Sequence, residues 1–154
     1  MASHPSLIES PSDREIVSSR VFDVPRELVW AACTDPQHVV QWWGPKGFTN
    51  TIHEMDVRPG GLWRLTMHGA DGTDYHNKSE FTEVVRPERI VYQHLEPVHR
   101  FQMSMRFAER NGKTELTWRM LFEAVSECAP IRFFITEANE RNFDRLAAFL
   151  AKAP

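Results

Sequence analysis

Alternating apolar and polar residues predict a run of antiparallel strands through the middle of the chain. The pattern is clearest on either side of Asn111-Gly112, where apolar side chains take every second position of 101–107 and of 116–122. Asn-Gly favours a two-residue hairpin turn. Four further strands, separated by turns that contain Gly or Pro, are predicted between Phe48 and Glu96. Short connections and a single apolar face predict sequential pairing in a sheet that is covered on one side.

The segment before these strands predicts a further strand and two short helices. Residues 15–24 contain β-branched residues in loose alternation, which is typical of a strand at or near a sheet edge. Pro25 then occupies a helix-start position, and Asp35-Pro36 repeats the signal with Asp35 as the cap. The second helix is expected to end at Gly44-Pro45.

The last segment, from about Ala129 to Lys152, predicts a long amphipathic helix. Its wide apolar face includes Phe134. Asn142 falls near the middle of that face and Asn139 lies at its edge, although a buried polar side chain needs a partner, a water or a ligand. The predicted order is β-α-α-β6-α, an α+β fold in which a twisted seven-stranded antiparallel sheet curls around the helix. The pattern leaves open whether the space between them is filled or forms a pocket.

Length, charge and cysteine content narrow the possible functions. The 154 residues suit one domain, here residues 15–154, after a Ser- and Pro-rich segment, residues 1–14, that we expect to be a flexible leader. A formal net charge of −3 argues against nucleic acid as the partner. Cys33 and Cys128 are far apart and form no CxxC motif, which favours reduced thiols and a cytoplasmic location. No apolar run is long enough to predict a membrane span.

Histidines, carboxylates and cysteines give little support for catalysis or for a metal site. His68 and His76 flank a turn and could face each other with Asp71 and Asp74 nearby, but the chain has no HxxxH or HExxH spacing. We therefore expect two solvated histidines and no bound metal.

Other polar residues on the strands have equally simple structural explanations. His53 and His94 have apolar neighbours and are expected to be partly buried and hydrogen-bonded. Glu54 and Asp56 share a strand face that we expect to be exposed to solvent, and Cys33 lies on the apolar side of its helix. No cofactor motif is present, and an enzymatic function stays an open but less favoured alternative.

Several motifs together resemble a known family. They are VPRELVWAACTDPQHVVQWWGPKGF, DVRPGGLWRLTMHGADGTDYH, EVVRPERIVY, NGKTELTW and FDRLAAFLA, in this order. The chain resembles the homologues of the activator of heat-shock-protein-90 ATPase, within the START-like (SRPBCC) helix-grip superfamily, over about residues 15–152. The resemblance implies a helix-grip fold with an internal cavity. Relatives commonly have Gly-Trp where this chain has Ala138-Asn139, a difference that would enlarge and polarise the cavity.

The favoured function is the binding of a small hydrophobic or aromatic ligand between the sheet and the last helix. The competing predictions are a chaperone-binding regulator, as the family name suggests, and an enzyme of the polyketide cyclase or dehydratase type. Exposed sheet edges also make a homodimer reasonable. The residues predicted to line the pocket are Trp63, Leu65, Met67, Phe81, Tyr92, Met103, Met105, Trp118 and Met120 from the strands, and Ile135, Ala138, Asn139, Asn142 and Leu146 from the helix.

Overall fold

The fold is a single antiparallel sheet packed against two short helices and one long one. The structure, a computed structural model, describes residues 12–152. The elements in chain order are β1 (Glu15–Phe22), α1 (Arg26–Thr34), α2 (Pro36–Trp42), β2 (Thr49–Met55), β3 (Leu62–His68), β4 (Asp74–Val85), β5 (Arg89–Glu96), β6 (Phe101–Arg110), β7 (Lys113–Phe122), α3 (Val125–Cys128) and α4 (Arg132–Lys152).

The seven strands pair as the sequence pattern predicts. Their order is β1-β7-β6-β5-β4-β3-β2, so β2 to β7 pair sequentially, and β1 forms one edge beside β7. All of the pairs are antiparallel. On β6 and β7 the alternating apolar residues point to the helix side and all but the half-buried Phe101 are buried, as Met103 and Trp118 illustrate. This agreement confirms the α+β helix-grip fold.

The last helix begins later than the sequence predicts. In place of one helix from about Ala129, the short helix α3 is followed by a 3-10 turn at residues 129–131, and α4 starts at Arg132. Pro130 lies in that turn, and because it has no N–H it cannot donate to an earlier carbonyl. Arg132 Nη1 donates to the Glu15 carbonyl oxygen at 2.7 Å, which fixes the start of α4 against β1.

The later part of α4 is packed most deeply into the core. Its buried residues are Asn139, Asn142, Phe143, Leu146 and Leu150, and no residue before Asn139 in this helix is buried. The Phe143 ring lies 4.5 Å from that of Trp118 on β7, measured between centroids. Phe134, on the predicted apolar face, is 65% exposed. The first two turns of α4 are therefore less deeply buried than the rest of the helix, although Ile135 is half-buried against the core.

The segments on either side of the two short helices are held by specific contacts. Asp35 Oδ1 accepts a hydrogen bond from the Gln37 backbone N–H at 2.9 Å, which confirms the predicted cap of α2.

Residues 12–14, at the end of the predicted leader, are hydrogen-bonded to the fold, since the Phe122 N–H donates to the Arg14 carbonyl oxygen. The rest of the predicted leader lies outside the described residues. None of the helices within residues 12–152 is long and apolar enough to cross a membrane.

Candidate functional site

An open groove lies between the first turns of α4 and the concave face of the sheet. We call it the outer chamber; its volume is about 620 Å³, and its wall is mainly apolar. The volume is within the range of small-molecule sites, about 300–1,000 Å³. The lining residues are Pro45, Lys46, Phe48, Met67, Tyr75, Asn77, His94, Pro97, Val98, His99, Phe101, Met120, Phe122, Ile131, Phe134, Ile135, Ala138 and Arg141.

A smaller hollow of about 140 Å³, the inner chamber, lies deeper between α4 and β7. Both chambers are lined by Met67, Met120 and Ala138, so they adjoin. The inner wall also contains residues from the end of α2 to the middle of α4, namely Trp43, Gly44, Tyr92, Met103, Trp118, Asn139 and Asn142. Together the chambers form a path from the surface to the core.

Two buried polar atoms of the inner wall have no hydrogen-bond partner within residues 12–152: Asn142 Oδ1 and Trp118 Nε1. A buried polar group without a partner costs about 1–3 kcal/mol. Asn139 differs, because its Nδ2 donates to Ser18 Oγ at 3.2 Å and contacts Met120 Sδ at 3.6 Å. The mainly apolar inner wall, which also contains Asn77, His94 and Asn139, thus has one unpaired acceptor and one unpaired donor.

The predicted pocket residues fall into two groups. Those that line a chamber are Met67, Tyr92, Met103, Trp118, Met120, Ile135, Ala138, Asn139 and Asn142. Those that line neither chamber are Trp63, Leu65, Phe81, Met105 and Leu146, which are all buried. The second group is packed into the core; for example, the Trp63 and Phe81 rings stack with centroids 6.2 Å apart. The alternating pattern predicts which side chains point inward. A side chain that points inward can nevertheless fill the core instead of lining a cavity.

His94 forms part of the outer wall together with Phe101. Their rings are nearly parallel with centroids 4.6 Å apart. His94 Nδ1 donates to the His99 carbonyl oxygen at 2.9 Å, and Nε2 lies 3.1 Å from the Asn77 side chain. Burial lowers the pKa of His94, so its ring is neutral at pH 7. His94 is therefore partly buried and hydrogen-bonded, as predicted, whereas His53 is exposed and bonds with Thr66 Oγ1 at 2.8 Å.

Arg145 fixes the Trp43-Gly44-Pro45 segment at the inner end of the cavity. Its Nη1 lies 3.0–3.1 Å from the carbonyl oxygens of all three residues. Gly44 has a φ of +97°, which a residue with a side chain rarely adopts, and a Cβ there would come within 2.9 Å of Met67 Cε. The loop can approach the chamber only because this position is glycine.

His68 and His76, on either side of the β3–β4 turn, do not face each other. His68 Nδ1 lies 2.7 Å from Asp74 Oδ1, and His76 Nδ1 lies 3.0 Å from Thr66 Oγ1. In the antiparallel register Asp74 lies opposite His68. The prediction that His68 and His76 could face each other was therefore wrong. Across the described chain no group of three or more His, Cys, Asp or Glu side chains could hold a metal ion.

Other chemical candidates also have structural roles. Burial raises the pKa of the Cys33 thiol, which favours the inert protonated form. Glu54 Oε1 accepts a hydrogen bond from Arg64 at 3.0 Å, away from both chambers. A third hollow of about 540 Å³ lies among His53, Arg64 and His76, but it is largely polar and separate from the helix.

The charged residues of the outer chamber were not predicted from the sequence. Lys46 and Arg141 line it, and His99 Nδ1 lies 3.2 Å from Glu127 Oε1 at its rim. On the helical pattern Arg141 falls opposite the apolar stripe, which predicts a solvent-facing position. The sequence feature that indicates this part of the site is Gly-Pro-Lys at residues 44–46, directly after α2. A turn there brings the charge of Lys46 toward the cavity.

The fold and cavity define a helix-grip protein, and comparison with known proteins gives its family. Residues 23–151 match the family Activator of Hsp90 ATPase homolog 1-like protein, and the chain belongs to that family. Comparison with curated protein sequences gives no significant match.

Solved structures from several bacteria share the fold. A Rhodobacter sphaeroides protein is 20% identical with a TM-score of 0.86, covering 94% of this chain and 97% of its own. An Arthrobacter aurescens protein is 20% identical with a TM-score of 0.84, covering 92% and 88%. The AHSA1 protein of Silicibacter pomeroyi is 20% identical with a TM-score of 0.74, covering 89% and 97%. At these identities the likeness concerns the fold alone.

Proposed function

We propose that this protein binds a small hydrophobic ligand in the two adjoining chambers between the sheet and α4. The observation that carries the proposal is the unpaired Asn142 Oδ1 in the mainly apolar inner wall. A ligand that donates one hydrogen bond there would remove the cost of that buried acceptor, and its apolar part would cover the exposed wall of the outer chamber.

The exposed apolar surface at the mouth supports the same proposal. Phe134 is 65% exposed and Val98 is 87% exposed, and both line the outer chamber. Covering such side chains is favourable by about 25 cal/mol per Å² of apolar surface. The chambers have a volume and composition that suit a ligand with an aromatic or alkyl body.

A titration with the neutral fluorescent probe N-phenyl-1-naphthylamine tests the proposal. Its emission rises in apolar surroundings, so saturable enhancement by the wild-type protein is expected. Ala138 lines both chambers, and Ala138→Phe should block the passage between them and weaken probe binding at least about tenfold, about 1.4 kcal/mol. Ala148 is exposed on the same helix, and Ala148→Phe is the matched control that should bind normally. Equal binding by the two variants would contradict the proposal.

A chaperone-regulator function is the second candidate, and one observation favours it. Phe133 is 80% exposed but lines neither chamber, so a ligand in the cavity would not cover it. Exposed apolar side chains of this kind are typical of protein interfaces. If the protein regulates Hsp90, it should change the ATPase rate of that chaperone and Phe133→Ser should weaken the effect; an unchanged ATPase rate would remove this candidate.

A further inference from the structure

The charged residues of the outer chamber are all of one sign. Its wall contains Lys46 and Arg141, and no aspartate or glutamate within residues 12–152 lines it, although Glu127 contacts His99 at the rim. The chain as a whole carries a formal charge of −3, so this local excess of positive charge runs against its average.

Arg141 has no partner of its own among the described residues: no hydrogen bond or ion pair joins it to another side chain or to the backbone, although it is half-buried. Asp144 is three residues away, the spacing at which helical ion pairs form. However, Asp144 Oδ1 accepts a hydrogen bond from Arg20 at 2.7 Å, and Glu140 Oε1 accepts one from Arg20 at 2.8 Å. Glu137, four residues before Arg141, forms no ion pair with it in the described chain, so the Arg141 guanidinium is available.

Lys46 and Arg141 lie at the same end of the chamber. Arg145 binds the Pro45 carbonyl oxygen at 3.0 Å, which holds the residue before Lys46 against α4. Arg141 precedes Arg145 by four residues, about one helical turn. Lys46 is exposed and, within the described part of the chain, also has no ion-pair partner. Two unpaired cations thus border one end of an apolar groove.

From this arrangement we infer that the ligand is an amphipathic anion, with an alkyl or aromatic body in the chambers and an acidic head group at Lys46 and Arg141. The inference rests on the proposed function and adds the chemical class of its ligand. Carboxylate, sulfonate and phosphate head groups share the chemistry that a guanidinium and an ammonium recognise. The apolar wall supplies affinity, and the two cations select the sign of the head group.

Displacement of bound N-phenyl-1-naphthylamine by decanoate, decanol and decylamine tests the inference, because the three compounds share one alkyl chain. Wild-type protein should bind decanoate about tenfold tighter than decanol, and it should bind decylamine most weakly. The preference for decanoate over decanol should become smaller as salt is added. Decyl phosphate and decyl sulfonate are tested in the same way and should also bind tighter than decanol. Comparing their affinities with that of decanoate shows whether one head group is preferred.

Arg141→Gln should remove most of the preference for decanoate over decanol, with both affinities measured by displacement and corrected for that variant's own affinity for the probe. The matched control is Arg100→Gln, since Arg100 is exposed beside the mouth but lines neither chamber. If wild-type protein binds the probe but decanoate and decanol displace it equally, or neither displaces it, the anion inference is overturned and ligand binding stands. If the probe itself does not bind, the proposed function is overturned together with the inference.

Discussion

Asn139 and Asn142 lie three residues apart on α4, both are buried, and only Asn139 is paired through its side chain to another element. The Asn139 amide donates to Ser18 Oγ on β1 at 3.2 Å, whereas the Asn142 amide oxygen has no partner in the described chain. The helical spacing places both residues toward the sheet. Asn139 thus attaches the helix to the fold, and Asn142 is available to a ligand.

Replacing Asn142 by leucine is expected to stabilise the protein and impair its binding of polar ligands. Removing an unpaired buried acceptor should raise the free energy of unfolding by about 1 kcal/mol. Asn139→Leu is the matched control, and it should lower that free energy by about 1 kcal/mol or more because Ser18 loses its partner. Urea denaturation measures both. A loss of stability in Asn142→Leu as large as in Asn139→Leu would show that Asn142 is structural.

The two adjacent phenylalanines at the start of α4 should differ in their effect on binding. Phe134 lines the outer chamber and Phe133 does not, although both are exposed. Phe134→Ser should weaken binding of N-phenyl-1-naphthylamine about fivefold, which corresponds to about 1 kcal/mol of lost apolar burial. Phe133→Ser should change the affinity by less than about twofold. Equal losses in the two variants would indicate that the probe binds elsewhere on the exposed end of the helix.

Arg145 should contribute more to the free energy of unfolding than is usual for a partly exposed side chain. Its guanidinium is hydrogen-bonded to the carbonyl oxygens of Trp43, Gly44 and Pro45. Arg145→Met should lower the free energy of unfolding by about 2 kcal/mol, since hydrogen bonds to a charged group contribute about 1.5–3 kcal/mol. Arg141→Gln, which removes a guanidinium without a partner, should change it by less than about 0.5 kcal/mol. Similar denaturation midpoints for Arg145→Met and wild type would refute this role.

The stability of the protein should fall in mild acid because of His94. Burial lowers the pKa of His94 in the folded state, so the unfolded chain binds the proton more readily. The contribution is fully present above the unfolded pKa of about 6.5 and is lost as the pH falls from there toward the lower folded pKa. His94→Gln cannot titrate, so it should show a flatter dependence of unfolding free energy on pH between about 7 and 5.5. An unchanged slope would contradict the assignment to His94.

The sequence predicts the fold well because alternation determines which face of each strand is buried. Met103 and Trp118 were placed on the inner face by this rule, and their register across β6 and β7 follows from the Asn111-Gly112 turn. Even the anomalous Asn142 was found, because a polar residue within an apolar stripe is visible on a helical wheel.

The shape of the cavity was harder to predict, because it depends on how far each side chain reaches. Trp63 and Phe81 point inward but fill the core by stacking on each other. Lys46 and Arg141 reach the cavity wall from positions that local pattern assigns to solvent. Their role depends on the path of the loop after α2, which Arg145 fixes from a distant part of the chain.

Nuclear magnetic resonance during a titration with N-phenyl-1-naphthylamine tests the central claim most directly. We expect saturable shifts of the Trp118 indole N–H and of the Asn142 side-chain amide, while the indole N–H of Trp30, which lines neither chamber, stays unchanged. Shifts confined to the polar hollow around His53 and His76, or no saturable shifts at all, would contradict ligand binding between the sheet and the last helix.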